Sequence, residues 1–206
     1  MATTLQPPAV KLPSGGSLRG VLQRGPEASR TGIWVALAAI SMTFAAFTSA
    51  MLVRQGSSND WRHFSFPSTL YFNTLALIVS SFTLELSRRR FAAVAAGFAQ
   101  STKPPLNALY GTLALGCVFV AGQYAAWLRL RSEGLYLATN PSSSFFYVFT
   151  AIHGLHVIGG LVGLVYVIRK LQRATLRPST LDAASHYWHF MDLLWLYLLF
   201  LLWLKV

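Results

Sequence analysis

The sequence predicts an all-α, polytopic membrane protein with five transmembrane helices, and three observations carry that reading. Five apolar stretches are each long enough to cross a bilayer. The 206-residue chain is 54% hydrophobic and only 11% charged, with a mean hydropathy of +0.48, which is too apolar for a soluble domain of this length. Its cations gather between the stretches, so the formal charge of +11 reads as a topology signal and argues against a nucleic-acid partner. One domain is expected over residues 31–206.

Residues 1–30 read as a flexible or surface-lying cytoplasmic tail. Pro7, Pro8, Pro13, Gly15 and Gly16 alternate there with Lys11, Arg19, Arg24 and Arg30, without hydrophobic periodicity. The tail has no apolar core of the signal-peptide kind, so the first span is expected to direct insertion itself. That span, about 31–53, is rich in Ala, Ser and Thr, small residues that suit a helix packed in a bundle. A polar loop follows, with Trp61 and Phe64 as interface anchors and His63 solvated.

The second span, about 68–86, carries Asn73 and Thr74, which can hydrogen-bond across helices, and ends near Glu85, beside Arg88, Arg89 and Arg90. The alanine-rich stretch 91–102 is too short to cross again, and Lys103-Pro104-Pro105 breaks the helix. The third span, about 108–128, holds Cys117 and, near its far end, Gln123. As the chain's single cysteine, Cys117 excludes an internal disulfide and reads as a small buried hydrophobe.

The fourth span, about 145–168, reads FFYVFTAIHGLHVIGGLVGLVYVI. His153 and His156 sit at i, i+3 on one face. Gly159-x-x-x-Gly163 removes side chains from one stripe, and with Gly154 and Gly160 it predicts a close helix contact. The fifth span, about 186–204, contains Trp188, His189, Asp192, Trp195 and Trp203. With the N-terminus in the cytoplasm, twelve Lys and Arg residues fall on that side and five on the other, which predicts N-terminus in and C-terminus out.

Asp192 is the costliest residue, since insertion scales put a central Asp at about +2.5 to +3.5 kcal/mol. It sits about two turns inside the start of its span and needs a partner. His189, at i−3, shares its face, and His156 can join them across the bundle where the helices adjoin. The group reads as a proton-antenna or relay site, a lipid-headgroup contact or a structural interhelical bond. Glu85 reads as an interfacial carboxylate neutralised by the arginine run. Two axial haem ligands need opposite faces of the ring, which His153 and His156 on one helix do not offer. His156 also lies about 12 residues, roughly 18 Å, from the inner end of its span, whereas His186 and His189 lie within about one turn of theirs. The carboxylates and histidines are too scattered for a metal site, and no nucleophile–base set is present, so the chain is expected to have no active site of its own.

The motifs FFYVFTAIHGLHVIGG in span four and HYWHFMDLLWLYLLFLLWL in span five, supported by LYFNTLALIVSSFTLE and LGCVFVAGQYAAW, resemble subunit III of the haem–copper oxidases, over about residues 30–206. The resemblance implies a helix bundle with a cleft that holds phospholipid, lacking the first two of seven helices as many bacterial members do. It implies no haem or copper in this chain and both in partner subunits. It further implies direct contact with oxidase subunit I, with subunit II and other subunits nearby and possible membership of a respiratory supercomplex, in the bacterial cytoplasmic membrane. By resemblance the chain stabilises subunit I, protects it from turnover inactivation and supports proton uptake in a cytochrome c oxidase. Asp192 and His189 match the family's WHFxD motif and His153 and His156 its HGLH, whereas Met42 stands where many members carry a glutamate. The small subunit of a quinol oxidase or of a nitric oxide reductase is the alternative. A cytochrome b-type carrier and a small transporter are the rivals outside that group.

Overall fold

The computed structural model describes residues 28–57, 61, 68–98 and 101–205. The tail up to residue 27, His63 and Phe64 lie outside the described residues. Among the described residues five helices follow one another: α1 (Ala28–Ser57), α2 (Thr69–Ala95), α3 (Lys103–Ser132), α4 (Pro141–Gln172) and α5 (Pro178–Lys205). All five are long and apolar enough to cross a membrane.

Each helix outruns its apolar stretch. At the membrane surface a charged side chain reaches water while its backbone stays in the i→i−4 ladder, so α2 passes through Arg88–Arg90 to Ala95 and α3 reaches Ser132. The helices stop where the backbone can turn left-handed. Gly97 and Gly134 take positive φ, and the following amides bond back to Ala93 O at 2.9 Å and Leu130 O at 3.0 Å. Two boundary readings and one burial reading change. Pro104 and Pro105 occupy the first turn of α3, where the missing amide hydrogens cost nothing, so they open a helix. Helix α5 begins at Pro178 rather than near residue 186, which places Asp192 at the helix midpoint, roughly 20 Å from either end. Cys117 is exposed on the outer face of α3, not buried.

Helices α2 to α5 form a closed ring: α2 beside α3, α3 beside α4, α4 beside α5, and α5 back against α2. Helix α1 lies outside the ring, on α5 and α4. Thr48 there shares a 2.9 Å hydrogen bond with the Tyr197 hydroxyl, and Phe44 packs on Phe149 and His156. Met42 is 73% exposed on the side of α1 turned away from the ring.

The ring's core repeats every seven residues. In α2 the buried rows are Leu70, Leu77, Leu84, Phe91 and Asn73, Ser80, Ser87. In α3 they are Pro105, Thr112, Phe119, Ala126 and Leu109, Gly116, Gln123, Leu130. Helix α4 gives Phe146, His153, Gly160, Val167 and Ser143, Thr150, Val157, Leu164, Leu171; α5 gives Leu181, Trp188, Trp195, Leu202. A 3.5-residue repeat is the pattern of left-handed bundle packing, in which layers of side chains interdigitate across the ring.

Candidate functional site: a buried polar layer

Two tryptophans one heptad apart on α5 key the ring. The Trp188 indole lies against the bare backbones of Gly116 on α3 and Gly160 on α4, where an added Cβ would come within 2.8 Å and 3.1 Å of its ring. Its Nε1–H donates to Ser80 Oγ on α2 at 2.9 Å. One side chain thus touches all three other helices of the ring. Trp195 repeats the device two turns on: its Nε1–H donates to Thr74 Oγ1 at 2.9 Å, and its ring meets Phe119 edge-on at 5.0 Å and His153 at 5.1 Å. Close approach of helices at small residues is what drives association in lipid, where there is no water to expel.

Around Trp195 the ring turns polar. Asn73 Oδ1 lies only 2.0 Å from where a Cβ on Gly122 would stand, so its amide is pressed on the α3 backbone. Gln123 is the next residue, and one turn below it Phe119 meets the His153 ring edge-on at 5.8 Å. Asp192 lies less than one turn below Trp195 on α5. All eight buried side-chain nitrogen and oxygen atoms that lack a hydrogen-bond partner among the described residues belong to Asn73, Gln123, His153 and Asp192, one residue on each helix of the ring. Isolated burial of such groups costs about 1–3 kcal/mol each and more for a charge, so four spread over a few turns of one ring form a place suited to internal water or to an exchanging proton.

Between this layer and the Arg88 end of α2 runs a polar seam shared by α2 and α5. His189 Nδ1 lies 2.5 Å from Ser81 Oγ, which also faces the Asp192 carboxylate without reaching hydrogen-bonding geometry. Nearer the surface Glu85 accepts from Arg88 at 2.8 and 3.0 Å and from Arg89 at 2.9 Å, and Arg88 reaches Asp182 at 3.4 Å.

The expected partnership of Asp192 with His189 and His156 does not form. His189 bonds Ser81, and His156 turns to the α1 side, its Nδ1 2.8 Å from Ile152 O. The depth argument against a bis-histidine haem holds for His186 but not for the whole segment, since the long Tyr187 side chain donates its hydroxyl to His156 O at 2.9 Å. Direction separates His189 from the α4 histidines, and depth separates His186. His189 faces α2, while His156 and His186 meet Phe44 and Trp34, ten residues and roughly 15 Å apart along α1. No group of three metal-ligating side chains occurs among the described residues. The glycine stripe is rotated as well. Gly160 faces Trp188; a Cβ on Gly159 would meet only the Tyr187 hydroxyl, at 3.8 Å, and Gly154 and Gly163 have no atom within 4 Å. One residue turns a helix face by about 100°, so the motif Gly159-x-x-x-Gly163 does not make the contact inside this chain. Of the glycines that do, Gly122 meets Asn73 in the row Asn73-x₆-Ser80-x₆-Ser87 of α2, whereas Gly116 and Gly160 meet Trp188 of α5.

Residues 35–205 match the family model described as cytochrome c oxidase subunit III. The chain is similar to a probable cytochrome c oxidase subunit 3 of Nocardia farcinica, 40% identical over 41% of this chain and 43% of that protein. A Mycobacterium tuberculosis protein of the same name is 34% identical over 60% of this chain and 59% of its own length. In these two relatives the match thus spans about half of their length. The cytochrome c oxidase subunit 3 of Thermostichus vulcanus is 31% identical over 87% of this chain and 88% of that one.

Proposed function

The chain belongs to the cytochrome c oxidase subunit III family, and from that premise we propose that it is a non-catalytic subunit of a terminal respiratory oxidase in a bacterial cytoplasmic membrane. The parent complex takes electrons from cytochrome c to oxygen and pumps protons, with haem and copper on partner subunits. This chain stabilises subunit I and holds protons near its uptake path. The family match, which extends across all five helices, carries the reading. The arrangement of polar groups supports it: a seam from Glu85 and Arg88 through His189 and Ser81 leads to Asp192 and the buried layer, a route for protons rather than a nucleophile–base set. The cation count supports a cytoplasmic N-terminus, which puts the Glu85 end of the seam on the cytoplasmic side.

Purification from mild detergent through an N-terminal tag tests the assignment. A haem–copper spectrum carried by a large co-purifying subunit is expected, and a copper-bearing second partner points to cytochrome c as donor. The same spectrum without that second partner favours the quinol oxidase alternative; haem that stays on this chain alone overturns the reading.

Asp192→Asn tests the seam. The change keeps shape and leaves haem content and thermal midpoint at or above wild type, because it replaces a buried carboxyl group that has no hydrogen-bond partner among the described residues. Proton uptake during turnover is expected to slow roughly two- to tenfold. Unchanged uptake, pumping and enzyme lifetime would make Asp192 a structural residue only.

A further inference from the structure

Trp195 is the common neighbour of the four side chains whose buried polar atoms find no partner among the described residues. Its indole bonds Thr74, the residue beside Asn73, and meets Phe119, one turn from Gln123. It meets the His153 ring directly, and Asp192 precedes it by three residues on α5. All four polar side chains are more than nine-tenths buried. The two amides supply donors and acceptors, a neutral imidazole supplies one of each, and the carboxylate accepts. A ligand for this set must itself both donate and accept, and it must fit between packed helices. Water does both. A buried water makes about three hydrogen bonds, so the eight unpartnered atoms suit about three waters.

The ring is polar on one side of this group and dry on the other. Toward the Arg88 end, hydroxyls line the interior: Ser80, Ser87 and Thr112 are fully buried, and Ser81 joins His189. Toward the Lys205 end the ring is filled by Leu70, Ala126, Leu130, Phe146, Leu198 and Leu202, each no more than 1% exposed except Leu202 and Leu70, which reach that value. Thr150, one turn from His153 on the dry side, is already satisfied. Its hydroxyl donates to Phe146 O at 2.7 Å and accepts from Trp127 Nε1–H at 3.0 Å. A proton moves only between hydrogen-bonding groups, so a chain that enters beside Arg88 ends at this layer.

We propose that Asn73, Gln123, His153 and Asp192 hold a cluster of internal waters, reached from the Arg88 end along His189 and Ser81 and closed by apolar packing toward the Lys205 end. Such a chamber takes up and returns protons on one side of the membrane and does not conduct them across it. The water site rests on the ring's own side chains, whereas its use for protons deepens, and rests on, the oxidase reading above. Its readout is taken on this chain's own peptides, so it can fail while the oxidase complex co-purifies, and the reverse.

The test exposes the purified complex to short X-ray pulses. Radiolysis splits water into hydroxyl radicals that oxidise the side chains beside it, and peptide mass spectrometry measures the yield at each residue. Trp188 and Trp195 form an internal comparison: one residue type, one heptad apart on α5, each 1% exposed. The Trp188 indole lies on glycine backbones and on a hydroxyl that has its own acceptor, so it stays nearly unmodified. Trp195 is expected to be modified about tenfold more, because internal water lies against it. Gln123→Leu combined with His153→Phe keeps the volume and removes four of the eight unpartnered atoms. It is expected to lower the Trp195 yield about fivefold, with Trp188 unchanged as the sign that the ring still closes. Gln123→Leu alone, with a loss of about twofold, serves if the pair does not assemble. Mixing into heavy-oxygen water before the pulse times entry, and Ser81→Val is expected to slow arrival of the label at Trp195 about tenfold. Equal yields at Trp188 and Trp195 would mean a dry layer and overturn the proposal. So would a Trp195 yield that survives loss of the Gln123 and His153 polar atoms. Label that reaches Trp195 as fast in Ser81→Val as in wild type would put the entrance elsewhere and overturn the one-sided chamber.

Discussion

Trp188→Ala is expected to destabilise the helix ring by about 3 kcal/mol, the low end for a buried aromatic replaced by alanine in a packed core. The low end applies because transfer from water contributes nothing inside a bilayer, and what is lost is contact and filled volume. The geometry makes that loss unusually central: the indole is 1% exposed and bears on Gly116, Gly160 and Ser80, three helices at once. Its hydrogen bond is the minor part. The Ser80 hydroxyl also donates to Leu77 O at 2.6 Å, so removing the indole does not orphan it. Trp188→Phe, which keeps most of the ring and loses only the Nε1–H donor, should therefore cost about 1 kcal/mol, near what interhelical hydrogen bonds contribute in membranes. Detergent-unfolding titrations of the three proteins check the order. A phenylalanine variant as unstable as the alanine one would put the energy in the hydrogen bond; an alanine variant as stable as wild type would remove Trp188 from its central role.

The five spans were legible because length and hydropathy alone mark a membrane helix. Which side of each helix faces the ring was not legible from hydropathy, because both faces are apolar: exposed Phe72, Leu155 and Leu193 are as hydrophobic as buried Leu77, Val157 and Leu194. What distinguishes the inside is size and polarity at a seven-residue spacing, as in Asn73, Ser80 and Ser87, or Trp188 and Trp195. A single glycine motif lacks that information, which is why Gly154, Gly159 and Gly163 were expected alongside Gly160, the one of the four that packs closely. Asp192 was legible as a costly residue on the face of His189. Its neighbour Ser81 was not, because Ser81 comes from a helix 108 residues away in sequence from His189, and only the order of the ring brings α2 beside α5. The extents of α3 and α5 were misread for a related reason: prolines that end one helix open the next, and polar first turns such as Pro178–Asp182 carry no hydropathy signal.

Gly122→Ala should be nearly as damaging as Trp188→Ala, through overpacking instead of a void. A methyl group there falls 2.0 Å from Asn73 Oδ1 and 2.8 Å from its Cγ. Asn73 is fully buried, so its amide has no open space to rotate into. Helices α2 and α3, the most extensively packed pair, must part or the amide must leave its rotamer, at about 2–3 kcal/mol. Asn73→Ala alone should change stability by no more than about 1 kcal/mol, because the lost packing is offset by removal of two buried polar atoms without partners. The double variant should recover most of the stability lost in Gly122→Ala, since the new methyl occupies the volume that the amide vacates, giving a coupling of about 2 kcal/mol. Unfolding titrations of all four proteins measure it; strict additivity would mean the close contact does not limit the packing of α2 on α3. The same double variant separates fold from function. If the polar layer only fills space, restoring the packing restores proton uptake with it. If the layer holds water or protons for the oxidase, the protein regains stability while uptake stays slow, because the amide that faced Gln123's turn of α3 is gone although the helices close as before.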